Sequence, residues 1–324
     1  MQKQMRNRKS APRRPPAVGI PSRPRFLVGL FFSFACLLLL GTGCERRKEN
    51  AQPLVRLSHL APLPEPRVED HENALRVAVA AILSPQGTIE SYQSLINYLK
   101  ARTGKNVVLI QRKTYQETNN LLARRVVDVA FVCTGAYMQG RNYMDVLVIP
   151  QIDGKITYRS LLIVPASSPA TDLKDLHGKV FAFTDPLSNS GYLAPVSLLN
   201  ETGETPEGFF ARTIFTYSHD RSIRAVMEGI ADGAAVDSVV YQFFATRNPG
   251  AVKTRVVWQS EEFAMPPVVV PKGIDLRQKE ELRALFLGIG QDPEGQRVLA
   301  QMGIDRFVAP NSALPGNANQ PPSK

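Results

Sequence analysis

Thr184-Asp185-Pro186-Leu187-Ser188-Asn189-Ser190-Gly191-Tyr192-Leu193-Ala194-Pro195 is the stretch on which the reading of this chain turns. Before it runs Gly178-Lys179-Val180-Phe181-Ala182-Phe183, a short apolar run that predicts a buried strand. Asp185-Pro186 stops that strand, because proline has no ladder donor and restricts the residue before it. Ser188, Asn189 and Ser190 are strong helix-capping types, and the residues up to Asn200 read as a helix. Gly191 lets the backbone come close to a neighbour. A strand, a small polar turn and a helix start make an anion site, because the first helical amides lack partners and carry about +0.5 charge. The same residues also suffice to cap their own helix, and local sequence leaves both readings open.

Working outward, the amino-terminal side predicts β-α-β-α-β. Leu75 to Leu83 is a strand and Ser84-Pro85-Gln86-Gly87-Thr88 a turn. Ile89 to Ala101 is an amphipathic helix with Tyr92, Leu95, Ile96 and Leu99 on one stripe. Asn106 to Gln111 is a second strand, Thr114 with Glu117 a capping box, and Asp128 to Cys133 a third strand. Such an order calls for α/β architecture with mainly parallel sheets covered on both faces. Ligands in such folds sit beyond the carboxyl ends of the strands, so loops 84–88, 112–116, 134–137 and 184–191 face the expected cleft.

The wider pattern resembles a known family. Asp172-Leu173-Lys174-Asp175-Leu176-His177-Gly178-Lys179, then the Asp185 to Pro195 run, then Ser218-His219-Asp220 keep the order and spacing seen in the periplasmic phosphate/phosphite/phosphonate-binding proteins of ABC importers. Ile223 to Gly229 and Asp232 to Asp237 continue in the same style. The resemblance covers about residues 75 to 305 and implies a two-lobe, type II periplasmic binding protein fold with the ligand between the lobes. On that plan residues 74–163 begin lobe one, 164–252 form lobe two, 253–308 return to lobe one with two closing helices, and 309–324 are a disordered tail.

The resemblance also implies the site. Tyr115 and Tyr158 reach the ligand from lobe one and the crossing strand, with Ser188, Asn189, Ser190 and Gly191 at the helix mouth. On chemical grounds His219, at a helix start, could donate to an anion, and Asp237, at a strand end, would accept from a P–OH group, which sulfate lacks. Each has a structural alternative: packed aromatics for the tyrosines, an exposed first-turn residue capped by Ser218 for His219, and a helix N-cap for Asp237. Pro266-Pro267 stands where the family often shows a polar residue, and offers no donor.

Charge and leader complete the expectations. The formal net charge is +10, with 39 Lys and Arg against 29 Asp and Glu. Eight of the basic residues lie within residues 1–25, which leaves 31 against 29, or +2. The remainder is not of nucleic-acid-binding type. Phe26 to Leu40 is an uncharged apolar block, shorter than the roughly 20 residues a membrane span needs. With the basic start and Gly41-Thr42-Gly43-Cys44 it reads as a lipoprotein signal over residues 1–43. Cys44 would carry the lipid, and residues 44–73, with Pro53, Pro62, Pro64 and Pro66, would be a flexible tether. Of the three cysteines, Cys133 is then alone and reads as a small buried hydrophobe.

These expectations add up to a membrane-tethered, periplasmic or cell-surface solute-binding monomer. It would deliver a phosphorus oxyanion to an inner-membrane ABC permease, with no cofactor and no metal. A sensor-system receptor subunit is the alternative, and a hydrolase built on Ser188, His219 and Asp237 the remote one, since no G-x-S-x-G elbow surrounds Ser188.

Overall fold

The computed structural model describes residues 74–247 and 253–310. The predicted signal segment, Cys44, the predicted tether and the residues from 311 onward lie outside the described residues. Among the described residues no helix is long and apolar enough to cross a membrane.

Lobe one opens with β1 (Leu75–Val79), α1 (Pro85–Thr103), β2 (Val107–Gln111), α2 (Tyr115–Ala123), β3 (Val129–Phe131), α3 (Thr134–Gly140) and β4 (Met144–Gln151). The chain crosses through β5 (Thr157–Tyr158) to β6 (Ser160–Pro165). Lobe two continues with β7 (Val180–Phe183), α4 (Ala194–Asn200), α5 (Pro206–Phe209), β8 (Arg212–Phe215), α6 (His219–Met227), β9 (Gly233–Asp237), α7 (Ser238–Arg247) and β10 (Thr254–Gln259). It returns through β11 (Phe263–Ala264) to β12 (Val268–Pro271), α8 (Leu276–Gly288), α9 (Pro293–Met302) and β13 (Arg306–Val308). The lobe-one sheet runs β13-β4-β12-β3-β1-β2 and the lobe-two sheet β10-β6-β9-β7-β8, while β5 and β11 pair with each other alone.

Local chemistry sets the helix starts. The Ser84 hydroxyl accepts from the Gly87 amide, and Pro85 takes the first turn of α1, where its missing N–H is not needed. The helix therefore begins inside the stretch read as a turn. The capping box at α2 forms as predicted: Thr114 Oγ1 accepts from the Glu117 amide at 3.2 Å, and Glu117 accepts from the Thr114 amide at 3.0 Å.

Both crossings lie elsewhere than predicted. β6 pairs antiparallel with β9 and β10, so Ser160–Pro165 and Thr254–Gln259 belong to the lobe-two sheet. The boundaries placed at 163/164 and 252/253 therefore move to the β5 and β11 segments. An apolar run of strand length shows burial but not which sheet buries it. The same pairings make the sheets mixed: β1 is parallel to β2 and β3, and β7 to β8 and β9, while the crossing and returning strands add antiparallel partners.

Each sheet is covered on both faces, which strand alternation shows directly. Val77 and Val79 join a core with Leu95, Leu99, Phe286 and Leu299, while Ala78 joins Leu122, Ala130, Met144 and Val269 on the other side. Phe181 and Phe183 face Leu199 and Phe210, and Ala182 faces Ile223 and Val226. In lobe one Phe286 is fully buried, its ring 6.0 Å from that of Phe131 and 5.2 Å from that of Phe307. Phe286→Ala empties the centre of that cluster. It is expected to lower the unfolding free energy by about 3–5 kcal/mol in urea titration; a loss below about 1 kcal/mol would show that the cluster collapses into the space.

Candidate functional site

β7 delivers Thr184 and Asp185 to the seam between the lobes. Asp185 is 1% exposed. Its Oδ2 accepts from the Tyr115 amide of lobe one at 3.1 Å, and its Oδ1 from the Leu187 amide at 2.8 Å. Burial pushes this carboxyl above its ordinary range, and the two amides pull against that rise.

After Asp185 the chain makes a π-helical turn over Asn189–Leu193 that runs into α4. The Tyr192 and Leu193 amides both donate to the Ser188 carbonyl, at 3.0 and 2.9 Å. The Ser188 hydroxyl accepts from the Gly191 amide at 3.0 Å, so the capping alternative for Ser188 is realised here. Gly191 is glycine for a packing reason: a Cβ there would lie 2.4 Å from Thr184 Oγ1 and 2.9 Å from the Ser188 hydroxyl. Its closeness serves Thr184 and Ser188 of its own loop.

The other polar groups converge on this turn. Asn189 Nδ2 donates to the Tyr158 hydroxyl at 3.1 Å. The Ser160 hydroxyl donates to the Ser190 carbonyl at 2.6 Å, and Ser160 lies opposite Asp237 in the β6–β9 register. Among the described residues the buried Ser190 and Tyr115 hydroxyls lack a partner at hydrogen-bonding geometry, as do those of Ser94, Thr118 and Ser218, although the Ser188 side chain lies near enough to Tyr115 to act on its hydroxyl. A buried hydroxyl left unbonded costs about 1–3 kcal/mol, so such groups mark a place where a ligand can repay them.

His219 is 1% exposed, not the surface residue of the alternative reading, and the Ser218 hydroxyl makes no cap bond. The Asp237 amide donates to His219 Nδ1 at 3.1 Å. That bond requires a bare Nδ1 and places the proton on Nε2. Burial lowers the imidazole to about 3, with Asp220 opposing. His219 is therefore a neutral donor. Asp237 does cap α7: its Oδ1 accepts from the Val239 and Val240 amides at 2.7 and 3.2 Å. Burial pushes this carboxyl up to about 6.

All eight residues named from the sequence are buried, and none carries a positive charge. The arrangement offers an anion hydroxyl, amide and imidazole donors in a dry place. Among the described residues no group of three or more His, Cys, Asp or Glu side chains is placed to hold a metal.

Sequence reasoning missed the groups that join the lobes. Both carboxylate oxygens of Asp220 accept from Ser84, from its amide at 2.8 Å and its hydroxyl at 2.6 Å. The His219 amide donates to the Ile82 carbonyl of lobe one at 3.0 Å. Cys133 is buried as expected, and its sulfur lies 3.9 Å from the Leu187 carbonyl across the seam. Asp220 stood inside a noticed triplet; an acid in a helix's first turn was the available signal.

The raised Asp237 carboxyl makes a pH prediction. Its folded value exceeds the unfolded one, so its stabilising contribution is full below about pH 4 and is lost as pH rises through 6. Asp237→Asn keeps an oxygen for the cap and cannot ionise. In urea titration it should be more stable than the unsubstituted protein at pH 8, by up to roughly 3 kcal/mol, with the gap closing toward pH 4. Equal gaps at both pH values would show that ionisation of Asp237 carries no penalty.

A family model described as "ABC transporter, phosphonate, periplasmic substrate-binding protein" matches residues 77–314. The chain is 25% identical over 249 residues to the phosphonates-binding periplasmic protein of Escherichia coli K12, covering 74% of this chain and 73% of that one. It is 33% identical over 212 residues to the phosphate-import protein PhnD of Mycolicibacterium smegmatis, covering 60% and 65%. Among solved structures, a binding-protein component of a Pseudomonas aeruginosa ABC phosphonate transporter superposes with TM-score 0.69 at 23% identity, covering 72% of this chain and 80% of that one. PhnD1 of Prochlorococcus marinus in complex with methylphosphonate gives 0.65 at 20%, covering 74% and 93%. At such identities the structures speak to the fold, which is that of type II periplasmic binding proteins. The chain belongs to the family of phosphonate-binding periplasmic proteins of ABC transporters.

Proposed function

We propose that this protein captures a phosphorus oxyanion in the seam between its lobes and hands it to an ABC importer, held at the membrane by a lipid on Cys44. The observation that carries the reading is the pair of buried, unpartnered hydroxyls, Tyr115 from lobe one and Ser190 from lobe two. One tetrahedral anion between them supplies both missing acceptors and ties the lobes together. Ser188, Asn189, Tyr158 and the Nε2 proton of His219 complete the donor set. Hydrogen bonds to a charged group contribute about 1.5–3 kcal/mol each, so five or six support sub-micromolar binding after association costs.

Asp237 supplies selectivity in this reading. An ionised carboxylate beside an anion is tolerated only if the ligand gives it a proton. Phosphate, phosphite and phosphonates carry one near neutral pH and sulfate does not. The geometry does not support a hydrolase. His219 Nδ1 meets the Asp237 amide instead of its carboxylate, and an imidazole lowered to about 3 is a poor general base. The matched relatives are likewise named for binding and import.

Removing an unpartnered hydroxyl separates binding from stability. Ser190→Ala and Tyr115→Phe should each weaken methylphosphonate or phosphate binding tenfold or more in calorimetric titration, with melting unchanged or raised. Ser188→Ala should lose affinity and also about 1 kcal/mol of stability, because it removes a cap. Full affinity in both of the first two variants would sink the site.

Closure of the seam is the second requirement. A Cβ on Gly135 would lie 2.3 Å from the Leu187 carbonyl of the facing lobe. Gly135→Ala should therefore cut affinity tenfold or more although it removes none of the proposed donor groups, and small-angle scattering with saturating phosphate should show a more open particle. Wild-type affinity would show that binding does not need this closure.

A further inference from the structure

The strands of lobe one sort its loops into two ends. β1, β2 and β3 are parallel and carry their carboxyl ends to the seam, so the residues that lead into them gather at the far end, the base of the lobe. There the Leu75 amide donates to the Asn106 carbonyl at 2.8 Å, and the Asp128 amide to the Arg76 carbonyl at 3.0 Å. β12 runs the other way and brings Lys272 to the same end, where its amide donates to the Tyr143 carbonyl at 2.9 Å. A Cβ on Gly273 would lie 2.9 Å from the Arg125 guanidinium, so the loops before β3 and after β12 meet.

This base is basic. Lys105, Arg124, Arg125, Arg141 and Lys272 are exposed, and none has an acidic partner among the described residues. The acids beside them are engaged: Asp128 pairs with Arg76 at 2.9 Å, Asp145 with Lys279 at 2.8 Å and Glu281 with Arg277 at 3.0 Å, while Asp275 accepts from the Gln278 amide at 3.0 Å. Arg125 is held at φ 55°, a left-handed backbone that favours glycine, so a cation stands where the loop itself favours a residue with no side chain. Leu276 and Val126 stand exposed among these cations, by 77% and 41%. The described chain begins at Ala74, next to β1, so the residues from Cys44 onward join the lobe at this end.

We infer that the base of lobe one is a membrane-facing surface, which rests on anionic lipid headgroups and turns the seam toward the solvent. The inference rests on the tether reading above and says which side of the protein is held down. As a coil, residues 44 to 73 would span roughly 30 Å, which leaves the base free to meet the bilayer. An anionic leaflet attracts clustered Lys and Arg, and the attraction fades within a Debye length, about 8 Å at physiological ionic strength. The five cations therefore act together only when the base itself faces the lipid. Beyond residue 25 basic and acidic residues nearly balance, so the cluster is a local concentration of charge. Leu276 and Val126 would enter the headgroup layer, as apolar side chains do on surfaces that lie on a bilayer.

Amide hydrogen exchange of the full chain on vesicles, of phosphatidylcholine alone or with added phosphatidylglycerol, tests this. On the anionic vesicles exchange at 124–127 and 272–276 should slow roughly threefold or more, with the seam loops unchanged. The slowing should be absent on neutral vesicles and lost in about 1 M salt. Arg124→Glu combined with Lys272→Glu should abolish it, with melting unchanged, because neither side chain has a partner to lose among the described residues. Lys174→Glu combined with Lys179→Glu, at two exposed positions of lobe two, should leave it in place. Equal slowing on both kinds of vesicle, slowing at the seam loops instead, or slowing that survives Arg124→Glu with Lys272→Glu would overturn the inference. A chain that stays in the supernatant with neutral vesicles would overturn the tether reading, and the anionic vesicles would still decide the base.

Discussion

Asp185 sits almost wholly out of water and is held by amides from two directions, one in its own loop and one in the facing lobe. Everything at the seam follows from the constraint it illustrates. Two lobes that close over a dry polar surface must satisfy each polar atom from across the gap, because unbonded groups there cost about 1–3 kcal/mol apiece. Ser84 with Asp220, and Ile82 with His219, meet that demand in the same way. The Tyr115, Ser190 and Ser218 hydroxyls do not, and the proposed anion site is built on the first two.

The donors of the proposed site are dipoles. His219 is neutral because burial disfavours its charged form and its Nδ1 is already committed to the Asp237 amide. Fixed dipoles read direction as well as sign: a hydroxyl or amide rewards an oxygen placed on its axis. A cation would reward any anion nearby. Salt screens exposed charges within about 10 Å at 0.1 M but has little reach into such a seam.

Much of this was legible in the order of residues. Caps are local, so Thr114 with Glu117 told where α2 begins. Alternation is local too, and Phe181-Ala182-Phe183 reads as a strand with two faces. The loops expected at the cleft do meet there, because strand direction in a β-α-β chain decides which end carries them. What stayed hidden is non-local. Ser160–Pro165 and Thr254–Gln259 show their burial but not their sheet, and the partners of Asp220 and Asp185 lie 136 and 70 residues away. The cap by Ser188 was legible, but the π turn that it caps was not, because no spacing rule distinguishes it from an ordinary helix start.

The two crossing segments touch each other through a ladder only two residues long, Phe263 opposite Tyr158 and Ala264 opposite Thr157. A ribbon so short resists stretching yet yields readily to torsion, which suits it to be the pivot of the closure proposed above. Points near a pivot travel least. If the lobes open about this ribbon, as the proposed closure requires, the Tyr158 hydroxyl carried on it moves less than the serine turn and the Tyr115 helix do.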